Sequence, residues 1–286
     1  MSPRIGTFSR RTFLSGASLA AAHVTMPRLP RTPLKVTAYV DHLGAMPGLH
    51  LLLMHGEFLV CGIVAAAAAV ASQVGALLAQ AGHKLPVVVC GDSVSYGSPA
   101  VAMVIFGEWT GLERLLVPRL AGHLPVYLDN PDLALRLHVR QKSAHPANHW
   151  LPALDGPLDP AAAAAMHHVR SGAMGDLRSM AITIPPSNAT LTLEAGYLAD
   201  CFVQLGRVPV RWIRTGNTMP VLHLYGTSGN MEIPLPMAAR RIDSLHGRLS
   251  HFDAVARGKA EPLVTVHQLV TISRSLPERF RNQRIP

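Results

Sequence analysis

The chain has 286 residues, 49% hydrophobic and only 15% charged, enough to bury a substantial core as one large domain or two modest ones. Its formal charge of +9 comes from scattered Lys and Arg, without the basic stripe interleaved with aromatics that marks nucleic-acid binding, and this excludes nucleic acid as a partner. No apolar run reaches the ~18 residues of a spanning helix, which excludes a bundle of transmembrane helices.

The chain opens on "SRRTFLSGASLAAA" (9–22), where Arg10-Arg11 precede Phe13-Leu14 and a short Gly/Ala-rich stretch. The stretch closes on Ala20-Ala21-Ala22, a small-residue cleavage pattern. This resembles a twin-arginine export signal, which implies the twin-arginine machinery as a partner and a periplasmic or otherwise exported location. A basic amphipathic terminus is the alternative. Residues 1–22 carry Arg4, Arg10 and Arg11 and no acids, so their removal lowers the charge from +9 to +6. Residues 23–33 read as a Pro-rich linker.

From residue 34 the pattern alternates between strand and helix. "LKVTAYV" (34–40) and "FLVCGIV" (58–64) are apolar runs of strand length. "AAAAAVASQVGALLAQAG" (65–82) places Val70, Val74, Leu77 and Leu78 on one helical face and ends at Gly82. "LPVVVCG" (85–91) is a third buried strand, "GLERLLVPRLAG" (111–122) a helix despite Pro118, and "PVYL" (125–128) a further strand. Unbroken apolar strands separated by helices predict a Rossmann-like parallel sheet covered on both faces over 34–140. "PVYL" runs into Asp129-Asn130-Pro131, which is the composition of a turn and equally that of a site at the tip of a parallel strand.

The second half, 141–286, reads as an α+β domain with a mostly antiparallel open sheet, the boundary falling near 135–150. After a polar loop over 143–160, Pro160 begins a helix over 161–171. Strands follow at 177–184, 210–216 and 220–226, with a turn at "GTSGN" (226–230) and a helix at 198–206. Amphipathic helices are predicted over 246–257 and near 267–281. Three cysteines, Cys61, Cys90 and Cys201, make no disulfide framework. The fifteen histidines lack metal-ligand spacing: Pro146 opposes a helix across "HPANH" (145–149), and His167-His168 diverge on a helix. No metal site is expected.

Three stretches of the second half share one pattern. "MHHVRSGAMGDLRSMAITI" (166–184), "LHLYGTSGNMEIPLP" (222–236) and "HFDAVARGKAEPLVTVHQLVTISRSLPERF" (251–280) resemble the corresponding segments of the Gfo/Idh/MocA oxidoreductases, the family of glucose–fructose oxidoreductase and inositol dehydrogenase. The resemblance spans roughly residues 55–280. It implies an NAD- or NADP-binding Rossmann domain, a second domain that receives a sugar or polyol, and association into a homo-oligomer.

The same resemblance marks departures. Where the family carries G-x-G-x-x-G, "DHLGAMPGLH" leaves Gly44 and Gly48 as cofactor-binding candidates, with Pro47 between them. Ala65 stands nearest the position of the ribose-binding acid. Asp129-Asn130-Pro131 falls at the (Glu/Asp)-Lys-Pro motif, making Asp129, Asn130 and Pro131 candidates for the cofactor and Asn130 a catalytic candidate. In "GYLAD" Tyr197 stands where the family's catalytic His would be and Asp200 is retained, which makes both catalytic candidates. A phenol with an ordinary pKa near ~10 is a poor proton carrier at neutral pH without a cationic neighbour. Tyr197 reads equally as an amphipathic helix-start residue, Asp200 as a first-turn acid, and the two glycines as an ordinary loop. Two functions therefore stand: an exported NAD(P)-dependent oxidoreductase of a sugar or polyol with eroded motifs, or a non-catalytic carbohydrate- or partner-binding protein on that scaffold.

Overall fold

A computed structural model describes residues 32–89, 100–107, 124–141, 150–185, 189–215, 220–235 and 241–277. The twin-arginine segment, Cys90, the helix expected over 111–122, "HPANH" and the last residues of the helix expected near 267–281 lie outside these residues. The first sheet contains β1 (Leu34–Val40), β2 (Phe58–Ala65), β3 (Val87–Val89), β4 (Ala102–Phe106), β5 (Val126–Leu128) and β6 (Trp150–Pro152). All pair in parallel, in the order β3-β2-β1-β4-β5-β6. This is the doubly wound dinucleotide-fold order, with the chain reversing direction across the sheet between β1 and β4. The apolar runs follow from burial on both faces. In β1, every residue but Lys35 is buried.

Helices α1 (Met46–Met54) and α2 (Ala68–Gln80) cover one face through Leu49, Leu52, Val70, Val74 and Leu78. They are joined there by α6 (Arg241–Ala256), which returns from the second half to pack Leu245, Leu249 and Phe252 beside Phe58 and Tyr127. The opposite face, with Val126, Leu128 and Trp150, shares one core with the second half of the chain. That half contributes α4 (Pro160–Arg170), α5 (Ala189–Gly206) and α7 (Val266–Ser275), while α3 (Pro131–Gln141) packs between them. Helix ends follow their residues. The Asp159 side chain accepts the N–H groups of Ala161 and Ala162 at 2.7 and 3.0 Å ahead of Pro160, and Thr265 with Gln268 forms a capping box on α7.

The second sheet runs β10-β9-β7-β8, from β7 (Leu177–Ile184), β8 (Val210–Arg214), β9 (Val221–Gly226) and β10 (Asn230–Pro234). β7 pairs with β8 in parallel, across the α5 connection, and the β7–β9 and β9–β10 pairs are antiparallel. Met180, Ile182, Ile184, Leu222 and Leu224 face the shared core, while Thr183, His223 and Glu232 form a hydrogen-bonded row on the outer face. At the β9–β10 turn, Thr227 accepts the Asp176 N–H at 3.0 Å, and Gly175 (φ 66°) lies so close to Thr227 that a Cβ there would collide with it.

Four expectations change. The helix expected over 198–206 begins at Ala189, as α5. The stretch after β1 is a 3₁₀ turn (Leu43–Ala45) leading into α1, where an open loop was expected, because Pro47 sits in a first turn that tolerates it. Residues 143–160 include β6 and a second 3₁₀ turn (Gly156–Leu158), so the first sheet continues past residue 140. Asp129-Asn130-Pro131 leads directly into α3.

Candidate functional site

In a doubly wound sheet the ligand crevice lies beyond the carboxyl ends of the strands, at the point where strand order reverses. Here that edge is built by the residues that follow β1, β2, β4, β5 and β6. After β1 stand Asp41 and His42, with His42 Nε2 3.4 Å from Asp41 Oδ1. The Asp41 side chain is nine-tenths buried and lies against the Cα of Gly107, the residue following β4. Gly107 adopts φ 132°, and any Cβ there would occupy the space of that carboxylate.

A dinucleotide's diphosphate needs backbone N–H groups aimed outward from this first turn. Three successive positions of the turn do not meet that demand. The N–H of Ala45 bonds back to His42 and that of Met46 to Leu43, while Pro47 has none. Gly44 sits in the 3₁₀ turn, where a Cβ would lie 2.9 Å from the His42 ring. Gly48 lies inside α1 against Phe106, where a Cβ would come within 2.8 Å of the ring. That close helix–strand contact is the packing role of a fingerprint's third glycine, and it brings no backbone to a phosphate. The tip of β2 is Ala65-Ala66-Ala67, with no carboxylate to hold a ribose and no side-chain cap on α2.

The tips of β5 and β6 are rich in charge. Asp129 keeps 30% of its side chain exposed; the Tyr127 hydroxyl donates to its Oδ1 at 3.2 Å, and Arg248 Nη2 lies 3.6 Å away. Arg248, on α6, is buried and also places Nη1 3.1 Å from Asp155 Oδ1, a carboxylate that accepts from the Ser244 hydroxyl. From α5, the buried Glu194 accepts the N–H groups of Asp155 and Gly156 at 2.7 and 2.9 Å. Burial alone would lower the Arg248 pKa. Tyr127 and the carboxylates of Asp129, Asp155 and Glu194 outweigh it and hold the guanidinium above its ordinary value. One buried cation thus ties the carboxyl edge of the first sheet to α5 and α6.

Beside it is a small pocket lined by Tyr127, Leu154, Pro157, Arg248, His251 and Val264. The Leu263 N–H donates to His251 Nε2 at 3.3 Å, which assigns the ring proton to Nδ1. Burial lowers the His251 pKa from 6.5 to about 4. The unfolded chain therefore binds a proton here that the folded protein refuses, and stability falls as pH drops from 6.5 towards 4. His251 should account for up to about 3 kcal/mol of that loss. Urea denaturation at pH 7 and pH 4.5 checks this: His251→Gln should flatten the difference, and an unchanged pH dependence assigns the loss to other groups.

The candidates read from sequence divide clearly. Asp129, Asn130 and Pro131 stand together at the tip of β5. Asn130 Oδ1 accepts the Asp132 N–H at 2.9 Å, so its side chain caps α3, and Pro131 is the first residue of that helix. Tyr197 is 2% exposed and packed within the shared core beside Cys201. Burial, then Cys201, pushes its phenol well above 10, and burial pushes the Cys201 thiol up to about 12. Asp200 accepts from Gln204 at 2.8 Å; burial raises its pKa and that bond opposes the rise. Arg248, Asp155, Glu194 and His251 were not anticipated. Their signal was polarity inside apolar pattern, as in Glu194 within "TLTLEAGYLA".

No family model and no curated protein matches the chain. Solved structures do. A myo-inositol dehydrogenase from Corynebacterium glutamicum superposes with a TM-score of 0.62 at 11% identity, covering 84% of this chain and 93% of its own. An oxidoreductase from Agrobacterium radiobacter, in complex with NAD+, L-tartaric acid and magnesium, gives 0.62 at 12% identity, covering 88% and 98%. A scyllo-inositol dehydrogenase from Lactobacillus casei with bound NAD(H) and scyllo-inositol gives 0.59 at 11% identity, covering 84% and 94%. Identities this low show the fold: the chain has the two-domain architecture of the inositol dehydrogenases.

Proposed function

We propose that the protein is an oxidoreductase acting on a sugar or polyol, with NAD or NADP as its redox partner, held without the usual first-turn cradle. The observation that carries this reading is Asp129. It is a partly exposed carboxylate at the tip of β5, with Tyr127 and Arg248 fixing its orientation. Alcohol oxidation needs a positioned group to take the hydroxyl hydrogen, and a carboxylate within hydrogen-bond reach does this. Asn130 and Tyr197 are engaged elsewhere, as a helix cap and as core, so Asp129 is the group we assign to it.

The reading extends to export by the twin-arginine route and to a homo-oligomer formed through the outer face of the second sheet. One experiment addresses all three parts. Protein collected from the exported fraction should depend on Arg10 and Arg11 for its appearance there and should exceed monomer mass in light scattering. It should also reduce NAD or NADP with at least one member of a panel of inositols, hexoses and alditols. Mature protein that binds a member of the panel without dinucleotide reduction under any condition would replace this function with the second reading, a carbohydrate-binding protein. The first turn, where the Ala45 and Met46 N–H groups bond back and Pro47 has none, favours that second reading.

A further inference from the structure

On the outer face of the second sheet, one row of registered residues runs from Arg211 on β8 through Ala181 on β7 and His223 on β9 to Glu232 on β10. Met180 and Ile182, on either side of Ala181, face the core, so this row points away from it. The neighbouring row pairs Ser179 with Tyr225, whose ring lies at 12° to that of His223 with centroids 6.4 Å apart. The face is therefore polarised twice over. β9 raises a ridge of two rings, and β7 beside it leaves a trough of Ser179 and Ala181. A guanidinium stands at one end of the row and a carboxylate at the other, three strand spacings or roughly 14 Å apart. All three protruding groups are open: Arg211 is exposed, Tyr225 is 38% exposed, and Glu232 keeps 71% of its side chain exposed.

We infer that this face receives the same face of a second copy, turned about a two-fold axis that runs along the strands between β7 and β9, with Arg211 and Glu232 of each copy as the pair that sets the register. That rotation leaves each row at its own height and exchanges its ends. Arg211 of one copy then meets the other copy's Glu232, twice per dimer. β9 of one copy lies over β7 of the other, so the rings of His223 and Tyr225 enter the trough of Ser179 and Ala181. A two-fold axis along the row would instead set β8 over β8 and β9 over β9, opposing Arg211 to Arg211 and ring to ring. Opposite charges and large residues over small ones select the same axis. Sheets stacked face to face lie about 10 Å apart, a gap that an arginine and a glutamate span together. This rests on the homo-oligomer part of the proposed function and names the residues that orient it.

The test is analytical ultracentrifugation of the full chain, of Arg211→Glu, of Glu232→Arg, and of the two variants mixed in equal amounts. Arg211→Glu opposes carboxylates at both ends of the pairing, and Glu232→Arg opposes guanidinium groups there. Each variant should dimerise at least about tenfold more weakly than the native chain. General charge repulsion would act otherwise: the chain is basic, so it would strengthen the dimer of Arg211→Glu and weaken that of Glu232→Arg. The mixture should recover a dimer, because one chain now carries two acids and the other two bases, and that recovery shows that both variants are folded. Added sodium chloride should narrow the gap between native and variant chains. A native dimer that either variant leaves as tight, or a mixture no tighter than its components, overturns the inference and leaves a homo-oligomer formed through another surface. A native chain that stays monomeric at every concentration overturns the inference and the homo-oligomer reading together.

Discussion

Replacing Arg248 by Met should cost about 3–5 kcal/mol of folding free energy, the usual consequence of removing one partner from a buried ion pair. In a chain of this size that lowers the melting temperature by roughly 10 °C. The size of the effect comes from what stays behind. Asp155 is 3% exposed and Glu194 is 1% exposed, and both carboxylates lose the cation they surround. The methionine would fill the volume of the arginine stem, so the loss measures the unpaired charge more than a cavity. Arg248→Lys should recover only part of it, since a single ammonium cannot reach Asp129 and Asp155 in the forked geometry of a guanidinium. Combining Arg248→Met with Asp155→Asn should cost less than the sum of the two changes, because the second removes a charge stranded by the first. Additive losses in urea denaturation would show that Arg248 and Asp155 do not stabilise one another.

The same cluster shows how far the sequence could be read. The strands of the parallel sheet are legible because burial on both faces leaves continuous apolar runs, and β1 falls on the residues expected for it. β6 was hidden for the opposite reason: three residues, Trp150 to Pro152, are too few to display a period, and they lie in a Pro-rich stretch. α1 was masked by a competing interpretation. "MPGLHLLLM" carries a helix start at Pro47, but Gly48, with Gly44 ahead of it, resembled a degraded phosphate loop. At Asn130 both readings predicted polar residues before a proline, and only the 2.9 Å bond to the Asp132 N–H separates helix cap from ligand contact. Tyr197 shows the limit of carrying a motif over residue by residue. It stands three residues before Asp200 as the family pattern asks, yet α5 begins at Ala189, and that places Tyr197 on the face buried in the shared core. The ion cluster joins residues 129, 155, 194 and 248, separations that no local pattern can connect.

Asp129→Asn should lower kcat/KM for the best polyol by about 10²–10⁴, the usual cost of losing a positioned proton-transfer group. Asparagine keeps the shape and can still receive the Tyr127 hydroxyl, but it takes up no proton. The loss should therefore fall on kcat, with NADH affinity unchanged. Stability complicates the measurement, since Arg248 loses one of its carboxylate partners, although Asp155, at 3.1 Å, remains. Activity is accordingly read well below the variant's melting temperature. Asp129→Glu supplies the second comparison: it restores the carboxylate and displaces it by one methylene, so a partial recovery is expected from a group that must meet a hydroxyl at a set distance. Asn130→Ala gives the contrast within the same tip. Losing the α3 cap should cost about 1 kcal/mol of stability and little activity, because its oxygen is already committed to the Asp132 N–H. If Asp129→Asn turned over at the native rate, the hydroxyl hydrogen would be taken by a group other than Asp129, and the assignment at the tip of β5 would be overturned.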